Sequence, residues 1–330
     1  MSRPQIPALL LSTLCYALWL SFARVGSHTI EPPYWALLWV VWALFVWLNP
    51  LPILFRPSRY WLLRNLYRQL TSGVRRVEFQ DFWMGDQFCS LVFTLADLWF
   101  AGCAYSHGLR NWRVCTAGNN WGPMFALGAL PLFVRFVQSI RRWVDSRQWT
   151  HLVNAGKYGT GVIYYMTYYL WRANGGGYGP RFIPWCIMGM LYATYACAWD
   201  FIMDWSFFQP HAKYPLLRSE ILYTSWLPVY YIAIITNIII RFEFVMYIPR
   251  SGINYTIRTF IAAMLEMLRR WQWNFFRLEN EHLGNMDQYR VTREVPLPYS
   301  FDDTNHDSDG GDEDEDVDRR SQSSSWRRRR

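Results

Sequence analysis

The stretch Thr259–Leu283, TFIAAMLEMLRRWQWNFFRLENEHL, decides how the rest of the chain is read. It begins as an apolar helix suited to a bilayer, then places Glu266, Arg269 and Arg270 after two turns. Those positions are i, i+3 and i+4, so they share one helix face, which Asn274 and Arg277 continue. An arginine at the bilayer centre costs about 2.5–3.5 kcal/mol on insertion scales. Two adjacent arginines are tolerated where they meet a water-filled cavity, a carboxylate or an anion. A juxtamembrane helix with its basic residues in water is the competing reading of this stretch alone. The other segments weigh against it.

Of 330 residues, 52% are hydrophobic and 19% aromatic, with 20 Trp, 21 Tyr and 21 Phe. Trp and Tyr concentrate at membrane–water interfaces, and soluble domains rarely carry this load. Net charge is +8; the last 30 residues hold 10 acidic and 6 basic groups, which leaves 27 basic against 15 acidic in residues 1–300. Such a basic, aromatic chain suits nucleic acid or membrane, and repeated apolar segments decide for membrane, with lipid as a partner and no nucleic acid. Six cysteines show no metal spacing, and most read as small buried hydrophobes. Cys103 and Cys115 fall on one non-cytosolic side, where pairing is open to them.

Spans need about 20 mainly apolar residues. Eight segments qualify: Pro7–Ala23, Tyr34–Phe55, Trp83–Tyr105, Trp121–Ile140, a short Tyr158–Trp171, Phe182–Met203, Ile221–Tyr247, and one from about Ile253. Between the second and third, Arg56–Arg76 mixes six arginines with Tyr60, Trp61, Leu62, Leu63, Leu66 and Leu70, the pattern of a helix lying on the interface. Loops on the odd side hold seven basic residues and those on the even side twelve, which places both termini in the cytosol. The expected fold is therefore an all-α, polytopic membrane bundle. Residues 1–33 form an anchor span and residues 34–283 the main membrane domain. Residues 284–330 form a cytosolic tail whose acidic run and terminal arginines cannot bury a core and read as disordered.

Ionisable groups fall inside or at the ends of spans: Asp86, Asp97, Arg135, Arg142, Lys157, Asp200, Asp204, Arg241, Glu266, Arg269 and Arg270. Intramembrane charges usually face a bundle interior, pair, and mark a pathway. Basic groups outnumber acids, which suits an anion; Arg binds phosphate or carboxylate oxygens in pairs, and Lys supplies a point charge. Asp86, Asp200 and Glu266 are placed to hold the arginines. No HExxH, P-loop, or Ser or Cys nucleophile motif is present. A metal, a cofactor and enzymatic chemistry are accordingly not expected.

Four motifs then resemble one family in the expected order: Asp81-Phe-Trp-Met-Gly-Asp86-Gln87, His151-Leu-Val-Asn154-Ala-Gly-Lys157-Tyr158, Trp199-Asp200-Phe-Ile-Met-Asp204-Trp205, and Trp273-Asn274-Phe-Phe-Arg277-Leu-Glu279-Asn280-Glu281-His282. This is the EXS family, the membrane domain of eukaryotic inorganic-phosphate exporters, also found in a Golgi protein linked to retention of resident proteins. The resemblance implies passage of inorganic phosphate through a central cationic site made by Lys157, Tyr158, Arg241, Arg269 and Arg270. Asp86, Asp200 and Glu266 look like its acidic partners, and Arg135 and Arg142 like basic positions along the path. Phe244 falls where the exporters have a gating Trp, and Cys89 where they can have Asn. The exporters begin with a soluble SPX domain, whereas here Met1 leads almost directly into a span. That short form makes the Golgi a better expected address than the plasma membrane. A Golgi adaptor that retains resident proteins is the alternative function, and a homodimer is a further expected association.

Overall fold

The computed structural model describes residues 5–24, 30–107, 109, 111–249 and 251–293, and among these the secondary structure is helical throughout. Ten α-helices follow one another: α1 (Gln5–Ala23), α2 (Pro32–Leu48), α3 (Arg56–Leu70), α4 (Phe79–Phe88), α5 (Val92–Ser106), α6 (Ala117–Ser146), α7 (Trp149–Ala173), α8 (Phe182–Trp199), α9 (Leu227–Arg241) and α10 (Tyr255–Arg293). The chain divides into two units after Leu283. Of the tail expected over residues 284–330, residues 284–293 continue α10, and the remainder lies outside the described residues.

Many large apolar side chains are exposed. On α8, Ile183, Ile187 and Leu191 are exposed at a spacing of four, while Trp185, Ala193 and Ala196 are buried. The interior combines aromatic and small side chains with buried polar and charged groups. Asn120–Ser146 and Phe182–Asp204 are long and apolar enough to cross a membrane, and the bent pair α4–α5 makes a third if it is one span. α9 is shorter at 15 residues, and α10 carries its charges within the apolar stretch.

Several expected spans take a different form. The second stops at Leu48 rather than Phe55, because Pro50 has no N–H and disfavours helix at Asn49. Arg59 then covers the freed carbonyls, donating to Val46 at 2.6 Å, Asn49 at 3.0 Å and Ile53 at 2.9 Å. Arg258 does the same before α10, donating to Met246, Pro249, Ser251 and Ile253. The third expected span is broken at Cys89–Leu91 and bent by 61°. On α3 the buried residues are Arg59, Asn65 and Gln69, while Trp61, Tyr67 and Leu70 face outward. That helix thus turns polar side chains to protein and exposes aromatic and aliphatic ones together with Arg56 and Arg64. Cys103 and Cys115 form a disulfide.

The interior is layered along α9 and α10. One aromatic cluster includes Trp185, Phe244, Tyr247 and Ala262. Another includes Trp205, Tyr230, Trp273 and Phe276. Arg241, Glu266, Arg269 and Arg270 fall between them in sequence, so a charged layer sits between two aromatic ones.

Candidate functional site

The charged layer surrounds an inner cavity lined by residues from five helices, among them Asp86, Lys157, Tyr158, Asp200, Asp204, Arg241, Glu266 and Arg270. The break between α4 and α5 brings Cys89 to its wall and lets Ser90 reach α10. Irregular backbone at this depth is tolerated where protein or a cavity satisfies it. At the end of α8 the helix widens into a π turn over Asp200–Asp204, with Trp205 N–H donating to Asp200 O at 2.9 Å. Such turns recur at functional sites, and this one puts both aspartates on the cavity wall.

Three carboxylates hold three arginines. Arg135 Nε donates to Asp86 Oδ1 at 2.7 Å, and Tyr158 OH donates to the same oxygen. Gly85 makes this possible, since a Cβ there would sit 2.5 Å from Arg135 Cδ. Arg135 also donates to Gln138 at 2.7 Å, which donates in turn to Gln69 at 3.0 Å. Arg241 donates to Asp200 Oδ2 through Nε at 2.8 Å and Nη2 at 2.7 Å. Arg269 is fully buried, clamped by Glu266 at 2.7 and 2.6 Å and reaching Asp200 at 3.3 Å.

Two cations stand apart. Lys157 Nζ lies 4.4 Å from the Tyr158 ring centre and 4.9 Å from that of Trp199. Arg270 donates through Nε to Ser90 Oγ at 2.7 Å and lies 4.5 Å over the Trp273 ring. Neither makes an ion pair among the described residues, where Arg135, Arg241 and Arg269 each do. Aromatic faces and a hydroxyl hold these two charges without neutralising them.

The structure does not gather all of the sequence-expected residues at one surface. Lys157, Tyr158, Arg241 and Arg270 line the inner cavity, together with Asp86, Asp200 and Glu266. Arg135 and Arg269 stand behind the wall. Arg142 is elsewhere, 5.1 Å over the Phe82 ring, which Arg277 also covers at 5.3 Å. Asp97 is exposed on α5. Phe244 lies on a second cavity that shares Cys89, Tyr192, Arg241 and Glu266 with the first. Its ring packs on Gly189, where a Cβ would come within 3.0 Å.

Sequence reasoning passed over Ser90, Tyr192 and Glu243. Glu243 carried a readable signal, as a charge two residues from Arg241 in an apolar run. Among the described residues one group has metal-ligand character: Cys103, His107 and Cys115. Its two sulfurs are bonded to each other, which removes the thiolates a metal would use.

Two of the sequence motifs meet directly, as Trp273 Nε1 donates to Asp204 Oδ2 at 3.1 Å. The profile of the EXS family matches residues 2–283. The chain belongs to the EXS family. It is 38% identical to Protein SYG1 of Saccharomyces cerevisiae, over 73% of this chain and 28% of that protein. It is 34% identical to solute carrier family 53 member 1 of Homo sapiens, over 86% of this chain and 44% of that one. Phosphate transporter PHO1 homolog 1 of Arabidopsis thaliana is 31% identical over 78% of this chain and 33% of that protein. The chain thus spans less than half the length of these relatives. An EXS domain with these apolar helices is an integral membrane protein.

Proposed function

We propose that this EXS chain carries inorganic phosphate across its membrane through the inner cavity. The observation behind this reading is the pair Lys157 and Arg270, two cations on the cavity wall with no carboxylate partner among the described residues. Around the cavity stand Arg135, Lys157, Arg241, Arg269 and Arg270 against Asp86, Asp200, Asp204 and Glu266, five bases to four acids. The surplus attracts an anion, and the carboxylates keep it small enough that binding does not prevent release. Arg270 presents a planar fork to phosphate oxygens and Lys157 a point charge. Arg241 adds to the wall while Asp200 holds it in place. One relative is named a phosphate transporter, which supports phosphate as the cargo. Phe244, on the second cavity, is the side chain placed to close the route. The excess of basic loop residues on the even side supports cytosolic termini.

The test is radioactive phosphate flux in liposomes holding the purified chain, compared with Arg270→Ala. Saturable flux that the variant lacks, at equal protein level and thermal stability, is the expected result. Normal flux in the variant would sink the site assignment.

A further inference from the structure

The second cavity contains a carboxylate that the proposed transport site does not use. Glu243 follows α9 in a short 3-10 turn (Glu243–Tyr247) and lines this cavity beside Arg241 and Phe244. Its Oε2 is buried and has no hydrogen-bond partner. Glu243 takes part in none of the ion pairs found among the described residues. The charged groups that act on it are Glu266 and Arg269 from α10 and Arg241 from α9. Tyr164 and Tyr165 face it from α7, and Tyr247 from its own turn.

Every other carboxylate on the two cavities already accepts from a donor of the protein. Asp86 accepts from Arg135 and Tyr158, and Asp200 from Arg241. Glu266 accepts from Arg269 and Ser90, and Asp204 from Trp273. Among the described carboxylates on the two cavities, Glu243 alone has a buried oxygen without a hydrogen-bond partner. A buried acceptor without a donor costs free energy, and a cargo that brings its own donor removes that cost.

This inference rests on the transport reading above. We propose that Glu243 is a specificity residue that accepts a hydrogen bond from a P–OH group of phosphate and thereby excludes fully deprotonated tetrahedral anions such as sulfate. Phosphate near neutral pH keeps at least one acidic hydroxyl, whereas sulfate has none. The two anions match in size and shape, so the cationic wall alone separates them poorly. Facing Glu243 in its ionised form, sulfate sets oxygen against oxygen and leaves the acceptor unfilled. A site built to bond a substrate hydroxyl rejects the analogue without it far better than a shape filter does. Since Cys89, Tyr192, Arg241 and Glu266 line both cavities, an anion leaving Arg241 for the second cavity comes next to Glu243.

The experiment is phosphate flux in liposomes with unlabelled sulfate or arsenate as competitor, for the unchanged chain, Glu243→Gln and Glu243→Asp. In the unchanged chain arsenate, which keeps its hydroxyl, competes and sulfate does not. Glu243→Gln replaces one acceptor oxygen with an amide N–H donor, and sulfate should then compete at a concentration lower by about tenfold or more. Glu243→Asp keeps the acceptor and should keep the exclusion. Sulfate competing as well as arsenate in the unchanged chain overturns the proposal whatever the variants do. So does Glu243→Gln that transports phosphate and still excludes sulfate. Absence of any phosphate flux in the unchanged chain would instead overturn the transport reading. Equilibrium binding to the solubilised protein would then decide selectivity, and sulfate bound as tightly as phosphate would overturn it.

Discussion

Arg59 and Arg270 are both buried arginines of a membrane domain, yet they are held by opposite means. Arg59 uses all three guanidinium nitrogens on backbone carbonyls where α2 ends, and it lines no cavity described above. Arg258 repeats the arrangement before α10. Arg270 gives one nitrogen to Ser90, rests on the Trp273 ring, and presents the remainder of its fork to the cavity. A guanidinium has five N–H donors, and where they go separates a scaffold residue from a binding one. Depth in the membrane does not. Arg135, Arg241 and Arg269 fall between these extremes, each tied to a carboxylate close to the cavity.

That contrast is broken most directly by Arg270→Ala. Phosphate flux should fall by about 100-fold or more, the loss expected for charge-assisted bonds to an anion. The melting temperature in detergent should stay within the error of the unchanged chain. A large drop in melting temperature would put Arg270 with Arg59 instead. Asp200→Asn comes next, since it removes the charge partner of both Arg241 and Arg269. Arg269 keeps Glu266, but leaving buried Arg241 uncompensated costs about 3–5 kcal/mol, read as a lower denaturation midpoint. Arg59→Ala sharpens the other side of the comparison. It should cost about 2–3 kcal/mol of stability by stranding carbonyls. Flux per folded molecule should remain within about twofold, and a selective loss of flux would make Arg59 part of the pathway. Arg142→Ala is expected to have the smallest effect, because this residue stacks on Phe82 away from the cavity wall. A change of about two- to fivefold in flux at low salt, fading at high salt, would mark it as a steering charge.

The chain's class was legible because a bilayer constrains sequence strongly. Its helices must be apolar outside and internally satisfied, so the helical class and membrane character could be read from composition and segment length. The end of α2 is equally readable in Asn49-Pro50, although the apolar run itself continues to Phe55. The break at Cys89–Leu91 was not, for no Pro or Gly stands there. Its Ser90 donates to Glu266 and accepts from Arg270, which are some 180 residues away in sequence.

By itself the sequence determined that this is an all-helical membrane protein of the EXS family, with acidic and basic groups together inside its apolar segments. Helix-face arithmetic could also set Glu266 beside Arg269. Only the tertiary structure decided which charges cancel. Arg269 and Arg270 are neighbours in the chain, but successive helical residues point about 100° apart. One is therefore clamped between Glu266 and Asp200, and the other opens onto the cavity. Lys157 is likewise distinguished by two aromatic rings that the fold places beside it, Tyr158 from its own helix and Trp199 from α8. Pairing depends on distances between helices, and a linear sequence does not contain them.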